Sequence, residues 1–70
     1  MYYVLTKERF STKGDYANLW YERTRIFDTQ ENAESFVEYL KTTESVEQGL
    51  TTILGYGKAK LTPKGVWVAA

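Results

Sequence analysis

Ala33, Phe36, Val37 and Leu40 fall at i, i+3, i+4 and i+7, the one clear apolar stripe of helical period in the chain. Glu31, Glu34 and Glu38 lie off that stripe, and Lys41 stands in its last turn. Early acids and a late base both suit the helix dipole. Asp28 followed three residues later by Glu31 has the character of a capping box. The spacing predicts a helix over about residues 29–42.

The flanks read differently. Residues 2–10 are rich in Tyr, Val, Thr and Phe and predict a strand. Ser11-Thr12-Lys13-Gly14-Asp15 is a turn cluster, and residues 17–27 predict a second strand closing an antiparallel hairpin. After the helix, Ser45 and Gln48 can cap one short turn ended by Gly49. Residues 50–61 predict a third strand, and residues 66–68 a short fourth. Thr62-Pro63-Lys64-Gly65 joins them, with Pro at the second turn position and Gly at the fourth.

The order is ββαββ, an α+β fold: one four-stranded antiparallel sheet with a single helix on one face. Residues 1–70 form one small domain, without a linker, repeat or low-complexity stretch. One helix cannot cover both faces of such a sheet. The other face must meet water, a partner or a second copy.

Composition limits how this fold is stabilised. There is no Cys and no His. That leaves no disulfide framework, zinc finger, thiol nucleophile or imidazole base, and no metal or cofactor is expected. Burial must come largely from six Tyr, three Phe and two Trp, more than one small core easily holds, so some are expected at the surface. The lack of Cys agrees with a reducing cytoplasm. No apolar run approaches a membrane span. Lys7-Glu8-Arg9 arrives before a signal-peptide core can form.

Nine bases balance nine acids, but unevenly. Residues 1–27 carry five bases against three acids, residues 28–48 one base against six acids, and residues 49–70 three bases and no acid. The strands are basic and the helix is acidic, which suits two binding surfaces of opposite sign. The register of the first hairpin decides where the bases point. If Lys7 lies opposite Tyr21, then Tyr3, Lys7, Arg9, Tyr21, Arg23 and Arg25 share one face. Val4, Phe10, Trp20 and Ile26 then face the helix. A slip by one residue mixes the faces and brings Lys7, Arg9 and Glu22 together with Trp20. The first register gives the cleaner apolar side and is the expected one.

Catalytic signatures are absent. Gly55-Tyr56-Gly57 has neither dinucleotide nor P-loop spacing; two glycines on one strand face instead leave a gap for an aromatic such as Trp20 or Trp67. Glu31, Glu34 and Glu38 read as a solvated helix surface rather than an acid–base set. Without His, no Ser or Thr has an evident activating base. An enzyme is not expected.

Phe27-Asp28-Thr29-Gln30-Glu31-Asn32-Ala33-Glu34 resembles the strand-to-helix junction of the small arm-type DNA-binding domains of phage integrases. The likeness covers eight of 70 residues. The acidic helix and the hairpin after it depart from that family.

These features favour a non-catalytic interaction protein, a small regulator or inhibitor of the phage or mobile-element type acting on a host protein. Its expected partner-binding residues are Tyr3, Lys7, Arg9, Tyr21, Arg23 and Arg25, with Glu31, Glu34 and Glu38 as a second surface; Tyr and Arg are enriched at binding hot spots. A nucleic-acid module using the same aromatic and basic residues is the main alternative. A self-assembling subunit, with a homodimer as its simplest form, is the third.

Overall fold

The computed structural model describes residues 1–70. Strand β1 is Tyr2–Glu8, β2 is Tyr21–Phe27, helix α1 is Gln30–Lys41, α2 is the single turn Glu44–Glu47, β3 is Thr51–Leu61 and β4 is Trp67–Ala69. All four strands lie antiparallel in one sheet of order β2-β1-β3-β4, with α1 against one face, so the α+β fold of ββαββ order is present. The shortest extent is 12 Å, which leaves room for one sheet and one helical layer and nothing beyond.

The predicted stripe is the contact. Val4 of β1 meets Ala33, Val37 and Leu40 in the central cluster, and Tyr2, Phe27, Phe36, Val46 and Ile53 pack around it. Buried Thr6 continues the line of Val4, and its hydroxyl donates to Glu8 Oε2 at 3.1 Å. The helix begins one residue later than the capping-box reading implies. Thr29, not Asp28, is the cap: its side chain accepts from the Asn32 N–H at 3.1 Å. The short turn after α1 closes at Gly49, whose φ of 77 lies in the left-handed region that favours glycine. Between β3 and β4, Gly65 N–H donates to Thr62 C=O at 2.9 Å, as the Pro-Lys-Gly spacing anticipates.

Two expectations for the first hairpin are corrected. β1 stops at Glu8 and β2 starts only at Tyr21, so the connection is long and holds a 3₁₀ turn at Asp15–Asn18. The register also differs: Lys7 lies opposite Glu22, Tyr3 opposite Ile26 and Val4 opposite Arg25. A tight turn would have dictated the pairing; a long connection does not. Arg25 can then stand at the margin of the helix-covered side, because its guanidinium lies over the Phe36 ring, 5.1 Å from the centroid.

β1 and β3 fall out of step once. Leu5 faces Gly55 but Thr6 faces Ile53, which leaves Leu54 as a bulge.

Candidate functional site

Alternation and register define two faces. Tyr2, Val4, Thr6 and Glu8 share the helix side with Tyr21, Arg23, Arg25 and Phe27. Tyr3, Leu5 and Lys7 share the other side with Glu22, Thr24 and Ile26, and with Gly55 and Gly57 of β3. Ala59 pairs with Ala69, and Leu61 with Trp67, on the same open side.

The single basic face anticipated for Tyr3, Lys7, Arg9, Tyr21, Arg23 and Arg25 does not form. Tyr3 and Lys7 belong to the open face, and Tyr21, Arg23 and Arg25 to the helix side. Lys7 and Arg9 both lie against Trp20, with Nζ and Cζ 5.0 and 4.4 Å from its centroid. Arg9 also donates from Nε to Gly49 C=O at 3.0 Å and from Nη1 to Ala17 C=O at 2.9 Å. It is a pin for the long connection, and no free anchor. Arg25 is engaged by Phe36 and lies 3.7 Å from Glu8. Tyr21 pairs with Phe10 at 5.6 Å, and only Arg23 stands exposed without a side-chain partner.

Of Val4, Phe10, Trp20 and Ile26, expected beneath the helix, only Val4 is there. Ile26 turns to the open face, and Phe10 is 75% exposed.

What the open face offers is apolar. Tyr3, Leu5, Ile26 and Trp67 are half-buried although no helix covers them. Tyr3, Leu5, Thr24, Ala59, Trp67 and the end of β4 surround a depression of about 150 Å³. Ligand pockets usually run to roughly 300–1,000 Å³, so this one suits a single inserted side chain. Lys7 and Glu22, opposite each other, put one charge of each sign at its border. An aromatic does lie over the glycine gap, but it is Tyr3: a Cβ added at Gly57 would meet its ring at 3.5 Å.

Leu5, Thr24, Ile26, Ala59 and Trp67 were not among the expected site residues. For Leu5 the signal is the unbroken run Tyr2-Tyr3-Val4-Leu5, which lacks the alternation of a strand with one wet face; the others join it only through the register.

The second surface keeps its members together. Glu31, Glu34 and Glu38 share one open groove with Ser35, Val37 and Tyr56. Glu38 is held by Lys41 at 3.3 Å, and Glu34 accepts from Gln30 Nε2 at 3.0 Å.

No buried side-chain nitrogen or oxygen lacks a hydrogen-bond partner, and no three acidic groups converge as a metal-ligand set. No helix is long and apolar enough to cross a membrane. No protein-family model, curated protein or solved structure matches the chain.

Proposed function

We propose that this chain is a non-catalytic interaction protein, a small regulator or inhibitor that docks its open sheet face onto a protein partner. The observation that carries the reading is the uncovered side of the sheet, where Tyr3, Leu5, Thr24 and Trp67 surround a shallow depression. Half-buried aromatics around a one-side-chain dimple, with charges confined to the border, match the anatomy of a docking patch. Size and the lack of a catalytic set support the regulator or inhibitor reading, as in the stand-alone proteins of phages and mobile elements. The absence of Cys supports the cytoplasm as its place of action.

The scattering of Lys7, Arg9, Arg23 and Arg25 over both faces weakens the case for nucleic acid, because no continuous basic track remains.

Thr24→Arg tests the reading. Thr24 lines the depression and is exposed, so the variant covers the dimple while leaving the packing intact. The tagged wild-type protein should capture a protein partner from its native cytosol, and Thr24→Arg should lose that partner with unchanged thermal unfolding. Capture that survives Thr24→Arg, or that nuclease abolishes, would overturn the assignment. Sedimentation at two concentrations detects the remaining case, a second copy on the same face.

A further inference from the structure

We infer that the outer edge of β3, beneath the acidic side of α1, accepts an extended basic peptide as an added strand. The surface is separate from the open face. β3 has 11 residues, whereas β4 has three and pairs only with Ala59, Lys60 and Leu61. Residues 51–57 pair with β1 alone.

Their outward polar groups can be assigned. Lys58 C=O accepts from the Ala70 N–H, on the β4 side, and Ala59 N–H donates to Met1 C=O, on the β1 side. By alternation the N–H and C=O of Tyr56 point outward, away from β1. Tyr56 is 51% exposed. A free row of strand donors and acceptors is a template for another strand.

The two edges of this sheet are protected unequally. The outer strand β2 carries Glu22, Arg23 and Arg25, the charges that usually discourage strand addition. Residues 51–57 of β3 carry no charge and no proline. The Leu54 bulge and two glycines are the only irregularities there.

Charge selects the occupant. Tyr56 sits on the helix side of β3, opposite Val4, and lines a groove of about 580 Å³ with Glu31, Glu34 and Glu38. Glu38 has Lys41; Glu31 has no ion-pair partner. A strand laid along the edge would turn alternate side chains toward these carboxylates, so lysine or arginine at every second position fits, with small apolar residues between.

The test uses a seven-residue peptide of alternating lysine and valine, titrated into isotope-labelled protein and followed by amide exchange. The Tyr56 amide should become protected saturably, while the β2 amides do not. A glutamate-for-lysine peptide should bind roughly tenfold more weakly, two exposed ion pairs being worth about that factor. Methylating the peptide nitrogens that face the edge should abolish protection. The double variant Glu31→Lys, Glu34→Lys should reverse the charge preference, and Thr24→Arg should change nothing, which keeps this result distinct from failure of the open-face reading. Equal binding of the glutamate peptide, or binding without protection at Tyr56, would refute the inference. So would Tyr56 protection that rises with protein concentration alone, which would make a second copy the occupant.

Discussion

The guanidinium carbon of Arg9 lies 4.4 Å from the centroid of Trp20, and the same group donates to the carbonyls of Gly49 and Ala17. One side chain thus joins three segments distant in sequence: the end of β1, the connection into β2, and the turn before β3. Those two hydrogen bonds need a planar fork, which Arg has and Lys lacks.

Arg9→Ala should therefore destabilise the fold by about 1–3 kcal/mol, since two partly buried carbonyls lose a charged donor. Arg9→Lys should recover less than half of that loss. Urea unfolding of the three proteins measures both. Full recovery by lysine would mean that charge near Trp20, and not the fork, is what matters.

Arg25 and Arg23 lie on the same side of β2 two residues apart, yet they should respond oppositely to charge reversal. Arg25 covers Phe36 and approaches Glu8 and the Thr6 hydroxyl. Arg25→Glu places a second carboxylate beside Glu8 and removes the cation from the ring, at a cost of about 1–2 kcal/mol. Arg23 is exposed, and Arg23→Glu should leave the unfolding midpoint unchanged. Thermal melts of the two single variants decide it.

The difference between these arginines also shows which parts of the architecture were legible. The helix and its buried side followed from Ala33, Phe36, Val37 and Leu40, because a 3.6-residue period has one apolar direction. The β3–β4 turn followed from Pro63 and Gly65, whose backbone preferences are local. The register of β1 on β2 was not legible. The expected register presumes a short turn, whereas residues 9–20 form a long connection held by Arg9 and Trp20, the grouping that belongs to the slipped alternative. The site inherited that error. The cleaner apolar side requires arginine to avoid the helix side, and Phe36 removes that constraint for Arg25.

Thr29 and Asp28 separate two readings of the helix start. Thr29 Oγ1 accepts from Asn32 N–H, so Thr29→Ala should cost about 1 kcal/mol. Asp28→Ala should leave stability nearly unchanged, its side chain making no capping bond. Chemical unfolding distinguishes them, and a larger loss at Asp28 would move the cap back to the position its spacing to Glu31 suggests.

Gly49 and Gly55 should answer the same substitution with opposite signs. Gly49 has φ 77, and a Cβ there would come within 3.4 Å of Arg9 Nη2, so Gly49→Ala meets both backbone strain and the Arg9 pin. The expected loss is about 1–2 kcal/mol for the left-handed conformation alone. Gly55 lies in a strand without positive φ, and an added Cβ meets nothing within 4 Å. Gly55→Ala should stabilise by about 0.4–1 kcal/mol, because alanine has fewer unfolded conformations to lose. Gly55 also belongs to the open face but does not line the depression, so a methyl there leaves the space around Tyr3 and Trp67 intact. If Gly55→Ala destabilises, β3 must require a backbone geometry that only glycine allows beside the Leu54 bulge, and the edge available to an added strand would be shorter than its pairing suggests.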